Sequence, residues 1–316
     1  MRATQQVAAA LLITAIGIAG CSKSDNGRQA PPQDPEPARH KPVVTTPPAS
    51  LDVKQTDGEG FVASVPPRIT GTFADGEAAY QARKYADATA IFEGYTERRP
   101  ANPWGHYMLG LSAWKNGDLS RSEQAFEKAL SIDPHHVKSL VNLSRVFISQ
   151  KRHEEAVDRL VRASEIEPES AEVFRLLGRT YYAQRKIDEA VDAYRQAIEL
   201  NERDAWSLNN LGLLLLEIKR ADEALPLLAS AVQLRKDVPE FHNNLGMALE
   251  HTGRFKAAAT AYGDALNVDQ HYDKARQNLA RVAAVESGPE EPFDVAGSTT
   301  KPSEDATLAG HATAIK

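Results

Sequence analysis

Few residues in this 316-residue chain have the type and spacing to do chemistry. Cys21 is the single cysteine, and it stands where a long uncharged run ends, at Ile18-Ala19-Gly20-Cys21, so its thiol is a lone nucleophile at a boundary. The nine histidines show no metal-ligand spacing; His153-Glu154-Glu155 is not the His-Glu-x-x-His of a zinc site, and no glycine-rich phosphate loop occurs. His135-His136 is expected at a solvated turn. What does recur is the chemistry of recognition. Asn142, Asn210, Asn244 and Asn278 fall at multiples of 34 residues, and an amide can donate to and accept from a peptide backbone whatever its sequence. Lys138, Arg145, Arg175 and Arg179 supply a basic group, and Trp104, Tyr107, Leu111 and Trp114 an aromatic and apolar one. Arg and aromatic side chains are the types enriched at binding hot spots. The pattern points to binding, with no catalytic residue, cofactor, metal or small-molecule substrate expected.

The elements that must position these residues repeat every 34 residues from Ile69 to Tyr272, without insertion or deletion, in blocks 69–102, 103–136, 137–170, 171–204, 205–238 and 239–272. Position 8 of each block is small: Gly76, Gly110, Ser144, Gly178, Gly212 and Gly246. Position 20 is Ala or Ser, and position 24 is large and apolar (Phe92, Phe126, Leu160, Tyr194, Leu228, Tyr262). Apolar residues at positions 4, 7, 8 and 11 lie on one helical face, and positions 20, 24 and 27 repeat that spacing on a second helix. Turn signals at Asn116-Gly117-Asp118 and Thr252-Gly253 fall between them. Each block is therefore a helical hairpin. Two features break the pattern: Thr72 and Asp75 stand where block one should be apolar, and Pro226 lies inside the second helix of block five, where a shifted start or a kink is expected.

These columns resemble the tetratricopeptide repeat. The resemblance implies an all-α fold, a right-handed superhelical solenoid of six helical hairpins. Residues 273–286, with Asn278, Leu279 and Ala280 in register, form its C-terminal capping helix. It also implies a concave groove lined by positions 2, 5, 6, 9, 12 and 13 of the first helices, in which the Asn rank resembles the asparagine ladder of other peptide-binding repeats. Enzymes that carry such repeats have a separate catalytic domain, and the thirty residues after the cap are too few for one.

Composition changes abruptly on both sides of the repeats. Residues 1–20 carry one charge, Arg2, and an apolar core from Val7 to Ala19, shorter than the roughly 20 residues of a membrane span and suited to a signal peptide. With Cys21 this run resembles the bacterial lipobox, which implies lipidation of the Cys21 thiol and stable membrane attachment through more than one acyl chain. Ser22 in place of Asp implies, by the proteobacterial rule, the inner leaflet of the outer membrane, facing the periplasm. Residues 21–68 hold nine of the 18 prolines and read as a disordered tether spanning about 40 Å as a coil and up to about 145 Å in polyproline II geometry. Residues 287–316 read as a disordered tail. The net charge of −6, with no concentrated basic face, excludes a nucleic-acid footprint.

The expected function is a membrane-anchored periplasmic scaffold that captures a protein or peptide segment of an envelope partner. Proteins of similar layout include type IV pilus pilotins, Tad pilus assembly lipoproteins and adaptors of cell-wall enzymes. A regulatory subunit of such an enzyme and a structural homo-oligomer remain as alternatives. The anchor is tested directly: Cys21→Ser should abolish labelling by a palmitate analogue and leave an unprocessed precursor, whereas unchanged labelling would exclude it.

Overall fold

A computed structural model describes residues 71–285 and 293–297. The expected signal segment 1–20, Cys21 and the tether to residue 68 lie outside the described residues, as do 286–292 and 298–316.

All regular structure among the described residues is helical. The helices are α1 (Phe73–Gln81), α2 (Tyr85–Arg98), α3 (Pro103–Lys115), α4 (Leu119–Ile132), α5 (Val137–Ser149), α6 (His153–Ile166), α7 (Ala171–Ala183), α8 (Ile187–Leu200), α9 (Ala205–Glu217), α10 (Ala221–Leu234), α11 (Pro239–His251), α12 (Phe255–Val268) and α13 (Asp273–Ala283). Apart from α1, every helix begins at the same place in its 34-residue block. Each second helix packs on the first helix of its own repeat and on that of the next, and successive first helices touch at most joints, so the first helices share one face of the stack.

The small position 8 exists for the large position 24. A Cβ on Gly110 would come within 2.8 Å of the Phe126 ring, one on Gly178 within 2.7 Å of Tyr194, and one on Gly246 within 2.5 Å of Tyr262. The rings occupy the volume a side chain would fill, and Phe92, Phe126, Tyr194 and Tyr262 are all fully buried. At block two the second helix is tied as well as packed: Ser122 Oγ donates to the Gly110 carbonyl at 2.8 Å.

Position 15 is the turn within each repeat, and all six of its residues have positive φ: Arg83, Gly117, Lys151, Arg185, Lys219 and Gly253. The following N–H then bonds five residues back, as in Asp118 to Ala113 and Arg220 to Leu215, closing a Schellman motif. Glycine marks only two of these turns in the sequence; the other four hold Lys or Arg in the left-handed region, at a cost of roughly 1–2 kcal/mol each.

Three expectations change. Thr72 and Asp75, read as packing losses, form a capping box: the Thr72 hydroxyl accepts from the Asp75 N–H at 3.2 Å, and Asp75 accepts from the Thr72 N–H at 2.7 Å. The first helix accordingly starts at Phe73, not at position 69. Pro226 shifts nothing, since α10 begins at Ala221 in register with the other second helices and continues to Leu234. The Pro226 carbonyl accepts from Ser230 Oγ at 2.9 Å. The tail also differs from expectation over residues 293–297, which lie against the repeats.

The close approach predicts opposite signs for two glycines. Gly246→Ala should destabilise by about 1–3 kcal/mol, because the Tyr262 ring must move. Gly263→Ala, in α12 with nothing within 4 Å of its Cβ, should stabilise by about 0.5–1 kcal/mol. Urea denaturation of the two variants checks both.

Candidate functional site

The aromatic residues of block two gather at the N-terminal end of the stack. Asn102 caps α3 through the N–H groups of Trp104 and Gly105, which sets Trp104 in the first helical turn. Trp104 is 46% exposed, the most exposed of the large apolar side chains among the described residues. Its ring meets Tyr107 edge-on at 5.7 Å and His136 at 4.6 Å, and Lys138 Nζ stands 5.1 Å from its centroid. Tyr107 lies deeper, against Phe126 and His136, and burial pushes its phenol pKa up. Together with Phe73, Tyr80 and Tyr95 of repeat one, Trp104, Tyr107, Met108, Leu111 and Lys138 line an open cleft of about 590 Å³. Trp114 does not line it; that ring packs against the core of repeats one to three, with Lys115 Nζ 4.9 Å from its centroid.

His136, which sequence reasoning placed in solvent, is buried against Trp104 and Tyr107. It precedes α5 and caps it, its Nδ1 accepting from the Ser139 N–H at 3.2 Å. The neutral tautomer then carries its hydrogen on Nε2, which is buried without a protein partner. Burial holds its pKa below the usual imidazole value, with Lys138 adding to the effect and Asp133 opposing it. The available sequence signal was its position, immediately before a helix and three residues ahead of Ser139.

The basic residues are spent largely on joints. Arg145 pairs with Glu172 of the next repeat and donates to Asn142 Oδ1 at 3.2 Å. Arg175 Nε lies 3.0 Å from Asp204 Oδ2, off the line of a hydrogen bond, in an ion pair whose side chains are only 14% and 12% exposed. Asp204 itself caps α9. Arg179 is half-buried and acts on His153, whose pKa is lowered first by burial and then by that charge. Only Lys138 of the four belongs to the aromatic cleft. Charge reversal at Arg145 or Arg175 would disturb the joint between repeats as well as any ligand. Glu250 accepts from Tyr262 and from both ends of the Arg281 guanidinium, which pins α13 to repeat six.

The asparagine rank is buried and linked from repeat to repeat. Asn244 Nδ2 donates to Asn209 Oδ1 at 2.9 Å, and Asn278 Nδ2 to Asn243 Oδ1 at 2.9 Å. The acceptors, Asn209 and Asn243, are one position earlier and fully buried. Asn142 has no such acceptor, because position 5 of the preceding block is Tyr107, and its amide returns to the Lys138 carbonyl at 2.8 Å. Asn210 follows Arg175 at the corresponding position, and its Oδ1 lies 3.4 Å from the donating Asn209 Nδ2. The signal that could have revealed this was the doublet, Asn209-Asn210 and Asn243-Asn244, which supplies a donor and an acceptor to each joint.

Family models described as tetratricopeptide repeat match residues 113–180 and 210–270, and one described as TPR repeat matches 178–219. No curated protein matches the chain. Among solved structures, the chain is similar to PilF of Pseudomonas aeruginosa at 19% identity and a TM-score of 0.59, over 66% of this chain and 95% of that one. It is also similar to a chain of the APC/C hetero-tetramer Cut9–Hcn1, at 17% identity and a TM-score of 0.55, over 66% of this chain and 41% of that one. YrrB, described as a TPR protein with an unusual peptide-binding site, aligns at 19% identity and a TM-score of 0.49, over 59% and 96% of the two chains. At these identities the likeness is one of fold.

The linked amides make a stability prediction. Asn243→Ala should leave the buried Asn278 amide without its acceptor and destabilise the domain by about 1–3 kcal/mol in urea denaturation. An unchanged midpoint would mean that the amides are not holding the joint.

Proposed function

Because the chain belongs to the tetratricopeptide repeat proteins, we propose that it is a scaffold held at the bacterial envelope membrane through Cys21, which captures a peptide segment of an envelope partner by its aromatic cleft. The observation that carries the reading is Trp104, held 46% exposed over a cleft of about 590 Å³ between repeats one and two. Burying an aromatic or aliphatic side chain there would remove apolar surface from water at roughly 25 cal/mol per Å². Lys138 at the rim favours a carboxylate beside that anchor. Much of the remaining polar surface on the face of the first helices is engaged between repeats, so affinity in this reading comes from the apolar anchor and orientation from a few polar groups.

The envelope setting rests on the lipobox-like run before Cys21, and assembly of a pilus or secretion system is the process we infer from that layout. The likeness to PilF is compatible with it at the level of fold.

A photo-crosslinking residue placed at Trp104 in intact cells should capture a discrete partner, while the same residue at Glu154, exposed on α6, should not. Trp104→Ala should then weaken the purified partner by about 2 kcal/mol or more. Equal capture from both positions, or wild-type affinity in Trp104→Ala, would place recognition elsewhere.

A further inference from the structure

The second helices of repeats five and six carry a contact of another kind. Phe293 and Val295 pack against the apolar cluster of repeats four to six. The Val295 carbonyl accepts from Gln233 Nε2, in the last turn of α10, at 2.7 Å. The Arg254 guanidinium, at the N-cap of α12, stands 5.5 Å from the centre of the Phe293 ring. Phe293 and Val295 are half-buried whereas Asp294 and Ala296 are exposed, the alternation of a segment seated by one side. Asp294 shapes it, accepting from the Ala296 N–H at 2.9 Å in an Asx turn. A Cβ on Gly297 would come 2.8 Å from Asp294 Oδ2, so glycine suits the position that follows. Phe293 is also the single Phe, Tyr or Trp between residues 286 and 316.

We propose that the surface formed by α10 and the start of α12 is a docking site for a short apolar-acidic-apolar segment, and that its occupant is this chain's own Phe293-Asp294-Val295. The site is separate from the aromatic cleft, which is built from repeats one and two and Lys138. The recognition chemistry is specific in kind: a side-chain amide reads a main-chain carbonyl, a guanidinium covers an aromatic face, and two apolar side chains fill the surface beside them. The intervening residues 286–292 can reach about 25 Å, more than the roughly 10 Å between packed helices, so the chain can return to the preceding repeat without strain. A short tether gives an effective concentration in the millimolar range. A segment whose free-peptide Kd is about 100 µM is then about 90% docked. The clasp holds the C-terminal repeats together and shields this surface from other peptides of the same pattern.

The test uses the full chain and its Phe293→Ala, Val295→Ala double variant, with a fluorescent peptide of residues 290–299 as probe. The peptide should bind the double variant with Kd in the range of about 10–200 µM and the wild type at least fivefold more weakly, because the native segment competes. Adding Gln233→Ala or Arg254→Ala to the double variant should weaken the peptide at least threefold. Amide hydrogen exchange over residues 226–234 and 254–260 should be several-fold faster in the double variant than in wild type. Three results overturn the proposal: no peptide binding with unchanged exchange, which makes the contact incidental; equal binding to both proteins, which leaves the site empty in the native chain; and concentration-dependent association of wild type that the double variant loses, which puts the segment on a second copy.

Discussion

Each hairpin depends on a missing side chain. Where position 8 is glycine, the second helix comes so close that a ring or a branched side chain from position 24 lies where a Cβ would be, as with Tyr262 at 2.5 Å from the site of the Gly246 Cβ and Leu228 at 2.6 Å from that of Gly212. Helix approach, ring burial and the intervening turn are then coupled inside 34 residues. Because the constraint is local, repeating it copies the hairpin without long-range pairing to discover, and the stack follows from burying each second helix against the next first helix. Ser144 is the one departure among the six; its hydroxyl turns back to the Val141 carbonyl at 2.7 Å, and Leu160 stands at position 24 of its block, fully buried.

The hairpins are legible in sequence because their contacts have a fixed period, and the joints are less so because theirs do not. Pairs such as Arg145 with Glu172, Arg152 with Glu123 and Arg281 with Glu250 differ in spacing by a few residues from one joint to the next, so no column of the alignment exposes them. The same reason hid the role of the asparagines. Facing away from the hairpin partner places a side chain on the shared face of the first helices, but on that face the neighbouring repeat is close enough to bond it, and Asn244 and Asn278 are satisfied there. Thr72 and Asp75 were misread for a simpler cause, since a block-wise comparison weighs them as core positions when local capping chemistry governs them.

The turns show the limits of residue-type signals in another way. Four of the six left-handed residues are Lys or Arg, which carry no turn signature, yet the Schellman bond closes after every one. The backbone conformation there is imposed by the helices on either side: once the two rows of apolar residues are buried against each other, a three-residue connection has few ways to reverse the chain. Tertiary packing sets the turn, and the side chain tolerates it.

Polar satisfaction also decides where a ligand can be recognised. A buried amide or guanidinium already bonded to its neighbour gains little by exchanging that partner for another, because the bond lost is worth about as much as the bond made. Joints of this stack are so satisfied at Arg145, Asn244 and Asn278, and Glu250 at the far end is held by Arg281 and Tyr262. Unspent interaction energy therefore concentrates where apolar surface meets water, and the largest such side chain among the described residues is Trp104. Its exposure is itself a product of the stack. Asn102 fixes the start of α3, His136 and Tyr107 support the ring from below, and the outer face has no comparable ring against it among the described residues. The physics that closes the joints thus leaves the aromatic end of the first-helix face with the largest apolar side chain open to water.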